Sequence, residues 1–288
     1  MICENAKEFT EKMNFPKDAR EELLTVLEKC SKCSDFSEIV SRYGKSDFDF
    51  YKALEDIKSF AERSDICEYT AYMLLFVCML PELHNKYKQK GISDKIFYDT
   101  ICNLKYKLEE CRLVYGKNGT FVPEWYAGIF DLKIIALGRL QFETKYIDFE
   151  CDAFGRHIAK GKKVLGIHIP RTGTRLEHES VLDSYRRAKE FFMHEYGEEI
   201  IFMCDSWLLY PWNRTVLNGD SNLSKFYDDF EIVKSNDHKN YSEVWRLFDC
   251  LYDGDVKKLP DDTSLRRAYI QRISSNKPIG SGTGIMVF

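Results

Sequence analysis

The spacing of apolar residues predicts two parts of different character. From residue 5 to residue 115, apolar side chains recur at intervals of three and four, which is the period of an amphipathic helix. One helix is expected to begin at Pro16 and one long helix after Ser93, since these residue types are typical of a helix start. Residues 68–87 are the most hydrophobic and are predicted to form the core helix. We therefore predict an all-helical domain over residues 1–120.

After residue 120, short runs rich in branched and aromatic side chains replace the helical spacing. These runs predict strands at 129–135, 137–143, 145–149, 164–169, 199–204, 230–234 and 284–288. Helices are predicted at 178–196, after Ser221 and around 264–274. The glycine-rich run Gly280–Gly284 is interpreted as a turn before the last strand. Residues 121–288 are thus predicted to form an α/β (α+β) domain, a mixed sheet flanked by helices.

Charge and composition restrict the classes of partner. The formal net charge of the 288-residue chain is −4, which gives no general attraction to nucleic acid or to an anionic membrane. Residues 1–13 lack the pattern of a signal peptide, and the apolar run 72–81 is shorter than a bilayer span. The ten cysteines are scattered, and Cys30-Ser-Lys-Cys33 has no second pair for a zinc site. We expect a soluble, cytoplasmic protein that holds no metal.

The segment between strand 164–169 and helix 178–196 is predicted to bind an anion. It reads Arg171-Thr-Gly-Thr-Arg175 and stands before a helix N-terminus, where backbone N–H groups and the helix dipole favour negative charge. The two arginines add charge-assisted donors for phosphate oxygens. The segment is neither a P-loop nor a Rossmann fingerprint, because it holds a single glycine and no G-x-x-x-x-G-K-[ST].

The order of elements resembles the GNAT superfamily of N-acyltransferases. The stretches that carry the resemblance are LGRLQFE (137–143), LGIHIP (165–170), FMCDSWLLYP (202–211) and SNLSKFYDDFEIV (221–233). In this order they are similar to bacterial proteins labelled acyltransferase domain-containing, which pair an N-terminal helical domain with a GNAT-like C-terminal domain. The resemblance implies that acetyl-CoA or another acyl-CoA is the co-substrate and that an amine accepts the acyl group.

The resemblance also implies roles for individual residues. The CoA pyrophosphate would lie against the loop formed by Ile169, Arg171, Thr172, Gly173, Thr174 and Arg175. The strand 200–205, with Cys204, would splay from the strand before it, so that the pantetheine arm pairs with exposed backbone. Tyr227 would be the general acid that protonates the departing CoA thiolate.

Acyl transfer to an amine also needs a base and groups that bind the acceptor. His168 ends a strand and titrates near working pH, and Asp205 ends the next strand, where it could pair with His168 or with a cationic acceptor. A structural histidine and a turn-capping aspartate are the alternatives. Candidates for acceptor binding are Arg139, Gln141 and Glu143, which alternate on one strand face, and Trp207. A solvated sheet face and ordinary packing of the tryptophan are the alternatives for this second set.

Three hypotheses of function follow. The first is an acyl-CoA-dependent N-acyltransferase, a monomer or homodimer that acts on a small-molecule or peptide amine. The second is a catalytically silent GNAT-like binding module, since the loop has a shorter arginine-to-glycine spacing than the usual pattern and lacks its second small residue. The third is a thiol hydrolase that uses Cys204 with His168 and requires the two side chains within ~3–4 Å of each other.

Overall fold

The chain divides after Ile135 into a helical unit and a unit that contains the main sheet. The computed structural model describes residues 2–238 and 240–288. The division lies later than residue 120, because Tyr126, Ile129 and Phe130 pack in the hydrophobic core of the helical unit. Residues 121–135 therefore belong with the helices.

The first unit is built from amphipathic helices around one buried helix. Its helices are α1 (Ile2–Lys12), α2 (Lys17–Cys30), α3 (Ser34–Ser41), α4 (Phe50–Arg63), α5 (Glu68–Gln89), α6 (Asp94–Ile101), α7 (Asn103–Tyr115) and α8 (Tyr126–Phe130). Helix α5 is the core helix, as its hydrophobic run predicts, and Phe76 in it is fully buried. Ser93 caps α6 by accepting a hydrogen bond from the backbone N–H of Ile96. The single long helix expected after Ser93 is instead two helices that break at Cys102.

The second unit holds a mixed sheet with helices. Its strands are β1 (Ile134–Leu137, which spans the division), β2 (Leu140–Tyr146), β3 (Cys151–Ala153), β4 (Arg156–Ile158), β5 (Lys163–His168), β6 (Ile201–Ser206), β7 (Glu231–His238) and β8 (Ile279–Val287). Its helices are α9 (His178–Tyr196), α10 (Asn213–Val216), α11 (Asn222–Asp228), α12 (Trp245–Phe248) and α13 (Ser264–Ser274). The main sheet has the order β1-β2-β5-β6-β8-β7, and β3 and β4 form a separate hairpin. Strands β5 and β6 are parallel, whereas β2–β5, β6–β8 and β7–β8 are antiparallel.

Three predictions for this part of the chain are wrong. The run 145–149 is not a strand of its own, because Lys145 and Tyr146 are the last residues of β2. The run 129–135 begins as helix α8, because Ile129 and Phe130 fill the core of the helical unit, and the strand starts only at Ile134. The run Gly280–Gly284 is not a turn but lies inside β8. Glycine is needed there for close approach, since an added Cβ on Gly282 would collide with the carbonyl oxygen of Leu209.

The two faces of the main sheet have different neighbours. On one face, Phe202 of β6 packs against Tyr185 of α9, with ring centroids 5.6 Å apart. On the other face, Met203 and Ile285 pack with residues of the β3–β4 hairpin, including Ala153. Among residues 2–238 and 240–288, none of the helices combines the length and apolar character needed to cross a membrane.

Candidate active site

The parallel strands β5 and β6 separate towards their carboxyl ends. Their ladder pairs Leu165 with Phe202 and Gly166 with Met203. Strand β5 continues to His168 and β6 continues to Ser206, so both strands run beyond the last pair. Ligands of open α/β sheets bind at the carboxyl ends of parallel strands. The opening lies where the resemblance implies that a pantetheine arm would insert.

A carboxylate and a histidine meet beside this opening. The antiparallel ladder of β2 and β5 pairs Gln141 with His168 and Glu143 with Gly166, which places Glu143 diagonally across from His168 on the same sheet face. Oε2 of Glu143 lies 2.8 Å from Nε2 of His168 and 3.1 Å from Nζ of Lys145. His168, Glu143 and Lys145 therefore form one hydrogen-bonded group.

Gly166 makes room for this group. An added Cβ on Gly166 would lie 2.9 Å from Cδ of Lys145 and 3.3 Å from the carbonyl oxygen of Glu143. The lysine stem therefore crosses β5 at the one position in this part of the strand that has no side chain. A side chain at this position would require the stem of Lys145 to shift.

The electrostatics of the group favour a neutral histidine. Burial lowers the pKa of His168, and the hydrogen bond to Glu143 only partly opposes this effect. Burial also acts to raise the pKa of Glu143, but the hydrogen bonds and charges of His168 and Lys145 outweigh it and the pKa is lowered. A neutral imidazole held by an ionised carboxylate is suited to accept a proton.

Asp205 does not join this group. Its side chain is exposed, and Oδ2 accepts a hydrogen bond from Oγ1 of Thr283 at 3.4 Å. Strand alternation places Asp205 on the same sheet face as His168, but the carboxylate that pairs with His168 is Glu143. The predicted pairing of Asp205 with His168 is thus replaced by one across the β2–β5 ladder.

Cys204 contradicts the hydrolase hypothesis. It is fully buried and shares a sheet face with Phe202, whereas His168 shares the opposite face with Gly166 and Met203. Burial raises the pKa of the Cys204 thiol far above its ordinary value, so the thiolate that a nucleophile requires is suppressed. The hypothesis of a Cys204–His168 hydrolase is therefore wrong.

The loop after β5 is a turn with a left-handed glycine. Gly173 has φ 75°, and Oγ1 of Thr172 lies 2.8 Å from Oγ1 of Thr174. Arg175 is exposed, whereas Nη2 of Arg171 forms an ion pair with Oδ1 of Asp249 at 2.7 Å. Arg171 is therefore anchored to the C-terminal end of α12.

Two of the candidate acceptor-binding residues have structural partners. Nη1 of Arg139 donates to the carbonyl oxygen of Pro170 at 2.8 Å and its backbone N–H donates to Oγ of Ser184, so Arg139 joins the start of the loop to α9. The ring of Trp207 packs edge-on against Tyr269 at 6.2 Å. Gln141 is buried on the face that carries Glu143 and His168.

Tyr227 is the penultimate residue of α11 and is half-buried. Burial raises the pKa of its hydroxyl, the charge of Arg214 lowers it, and the charge of Asp228 raises it. A tyrosine that stays protonated at neutral pH can act as a general acid. Whether it meets the departing thiolate remains a prediction.

Comparison with known families identifies this architecture. A family model described as a GNAT-like C-terminal domain matches residues 134–286. The chain belongs to this GNAT-like family. A model described as an N-acyltransferase N-terminal domain matches residues 4–132, so the helical unit also has a recognised counterpart. A search of curated proteins finds no match.

Solved acyltransferase structures share the fold along the whole chain. A crystal structure of an acyltransferase in complex with decanoyl-CoA and teicoplanin has a TM-score of 0.73 at 22% identity, covering 99% of this chain and 88% of that chain. An acyltransferase in complex with CoA and 10C-teicoplanin has a TM-score of 0.75 at 19% identity, with coverages of 98% and 87%. An acyltransferase in complex with decanoyl-CoA has a TM-score of 0.64 at 19% identity, with coverages of 98% and 99%. At these identities the likeness establishes the fold.

The GNAT-like domain also contains a polar cluster that its sequence does not reveal. The carboxylate of Asp229 receives hydrogen bonds from His178 and Tyr185, both on α9. His178 and Tyr185 are seven residues apart and share a helix face, but Asp229 lies 44 residues beyond Tyr185. Only the packing of α11 on α9 brings them together.

The GNAT-like domain thus has a carboxylate-paired histidine, an opening between β5 and β6 and a loop before the N-terminus of α9 in one region. Within residues 2–238 and 240–288, no group of three or more His, Cys, Asp or Glu side chains is placed to hold a metal ion.

Proposed function

We propose that the protein is an acyl-CoA-dependent N-acyltransferase that acts on a small-molecule or peptide amine. The observation that carries this proposal is the Glu143–His168 pair, joined at 2.8 Å beside the opening between β5 and β6. A base next to an opened strand edge and an anion-binding loop is what acyl transfer from CoA to an amine needs. The solved acyltransferases of the same fold that contain CoA or decanoyl-CoA support the choice of co-substrate.

Each part of the co-substrate has a proposed place. The pyrophosphate lies against residues 169–175 and the N-terminus of α9, where backbone N–H groups and the helix dipole attract it. The pantetheine arm pairs with the backbone of β6 near Cys204, beyond the last pair of the β5–β6 ladder. This arrangement directs the thioester towards His168.

The proposed reaction forms one bond and breaks another. The amine nitrogen attacks the thioester carbonyl carbon, forming a C–N bond and a tetrahedral oxyanion. The imidazole of His168, whose Nε2 lies within hydrogen-bonding distance of Glu143, takes the proton from the attacking amine. The C–S bond then breaks, and Tyr227 protonates the departing thiolate. The products are an amide and CoA. His168 releases the amine proton to solvent, and Tyr227 regains a proton from solvent.

Thermal unfolding with CoA, acetyl-CoA and decanoyl-CoA tests the binding step. A ligand at 100 times its dissociation constant stabilises the native state by about 2.7 kcal/mol, which gives a clear rise in Tm. Gly173→Glu places a negative charge in the loop and should abolish that rise. Gly161→Glu is the matched control, because Gly161 also has positive φ with open space at its Cβ but lies in the turn before β5. Equal Tm shifts in the two variants would contradict the proposed pyrophosphate site.

The ion pair of Arg171 favours a second candidate, the catalytically silent binding module. Its guanidinium is engaged by Asp249 at 2.7 Å, and Asp249 is also paired with Arg266. CoA release is measured with a thiol reagent, with a panel of primary amines and amino-terminal peptides as acceptors. Release that needs an amine and is lost in His168→Asn supports the transferase. Binding of acyl-CoA without release for every amine would favour the silent module.

A further inference from the structure

We propose that Asp229 is a positioning residue that fixes the helix carrying Tyr227 against α9. The role in catalysis rests on the proposed transferase function, whereas the fixing of the helix can be tested without any activity. Helix α11 spans only Asn222–Asp228, so it needs outside contacts to keep Tyr227 in one place.

The contacts of Asp229 hold the C-terminal end of α11. Nε2 of His178 lies 2.9 Å from Oδ1 and 3.1 Å from Oδ2 of Asp229, and the hydroxyl of Tyr185 donates to Oδ2 at 3.2 Å. The Asp229 side chain is 14% exposed, so these bonds are shielded from water. Tyr185 is itself fully buried, which gives the carboxylate a rigid partner.

A second bond holds the other end of α11. Nδ2 of Asn222 donates to Oε2 of Glu177 at 2.7 Å, and Glu177 is the N-cap residue of α9. Both ends of α11 are therefore joined to the first turns of α9, and Tyr227 lies between the two attachments. Because α9 directly follows the loop 171–175, the attachments set the position of Tyr227 relative to the proposed pyrophosphate site.

Asp228, the residue before Asp229, provides a matched control for the Asp229 variant. Asp228 is exposed and pairs with Arg214 of α10, at 2.8 Å between Oδ1 and Nε. Asp228→Ala removes the same charge and the same number of atoms as Asp229→Ala, but it leaves the attachment to α9 in place. A difference between the two variants therefore reports the contacts to His178 and Tyr185.

Hydrogen exchange measured by mass spectrometry tests the attachment in the full-length protein. We expect amides of residues 222–228 to exchange at least about tenfold faster in Asp229→Ala than in Asp228→Ala. Asp229→Asn keeps an oxygen that can accept from Tyr185 and should be intermediate. If Asp229→Ala does not fold, exchange in Asp229→Asn and in Asn222→Ala is compared with exchange in Asp228→Ala instead. Equal exchange in the Asp228 and Asp229 variants would overturn the proposal.

A double-mutant cycle tests whether Asp229 acts through Tyr227. We expect Asp229→Ala to lower kcat at least about tenfold with little change in the KM for acyl-CoA, because misplacement by about 1 Å can cost 100-fold. Combined with Tyr227→Phe, it should lower kcat no further than Tyr227→Phe alone. Additive losses, or an unchanged kcat in Asp229→Ala, would overturn the catalytic role. Absence of transfer in the unmodified protein would count against the proposed function, and exchange would then decide whether Asp229 fixes α11.

Discussion

Replacing Glu143 by glutamine tests whether its carboxylate supports His168 as the base. Oε2 of Glu143 lies 2.8 Å from Nε2 of His168, and the side chains are only 21% and 17% exposed. A hydrogen bond to a charged group in such a setting contributes about 1.5–3 kcal/mol. Since 1.36 kcal/mol corresponds to a factor of ten in rate, Glu143→Gln should slow acyl transfer by roughly 10- to 160-fold on the pH plateau.

The pH dependence of the rate shows in which direction each neighbouring charge moves the pKa of His168. Burial lowers the pKa of His168, Glu143 raises it through a hydrogen bond and its charge, and the charge of Lys145 lowers it. In the proposed reaction the neutral imidazole is the base, so we expect the rate to be lost as pH falls through the pKa of His168. Glu143→Gln should move this acidic limb to lower pH, whereas Lys145→Met should move it to higher pH.

The assay is thiol release at subsaturating acyl-CoA across the range in which histidine titrates, which yields kcat/KM at each pH. Lys162→Met is the control for loss of a lysine charge, since Lys162 is exposed in the turn before β5. A shift of the limb in the same direction in the Glu143 and Lys145 variants would refute the proposed role of Glu143. A Glu143→Gln variant with an unchanged plateau rate and an unchanged acidic limb would refute it as well.

Three further predictions concern the rest of the fold and site. Cys204→Ala should leave kcat within about twofold of the unmodified protein, because the thiol faces away from His168; a loss near that expected for His168→Asn would contradict this. Gly282→Ala should cost about 1–3 kcal/mol in urea unfolding, since its Cβ would collide with the carbonyl oxygen of Leu209, while Gly219→Ala, with open space, should not destabilise. Because the pKa of His168 in the folded chain lies below its ordinary 6.5, the unfolded chain takes up the proton first and stability falls as pH drops below that value. His168→Gln should weaken this fall, and an unchanged pH dependence of Tm would count against a buried neutral histidine.

Local signals predicted the helices of the second unit well. The predicted helices 178–196 and 264–274 match α9 and α13, because apolar periodicity and terminal residues act within each helix. Ser221 caps α11 as expected. The glycines of β8 had the same local appearance as a turn, but the structure places Gly280, Gly282 and Gly284 in close contact with Asn236, Leu209 and Phe230, which are far away in the sequence. Contacts between residues so far apart leave no local pattern in the sequence.

The sequence predicted a site residue correctly where its place depends only on the alternation of side chains along one strand. Gln141 and Glu143 share a face of β2, and His168 was correctly expected near the end of β5. The partner of His168 depends on the β2–β5 register, which places Glu143 opposite Gly166. Nothing within either strand specifies that register, so Asp205 was an equally reasonable partner from the sequence.

The register of β5 and β6 also decides between two chemistries. Pairing of Gly166 with Met203 places Asp205 on the face of His168 and Cys204 on the face of α9. A shift of one residue would exchange the faces of Cys204 and Asp205, and it would set a thiol beside a histidine. A shift of one residue in the β5–β6 register would therefore be enough to give the geometry that the hydrolase hypothesis requires. That ladder is fixed by long-range packing such as Phe202 on Tyr185, which explains why the sequence left both hypotheses open.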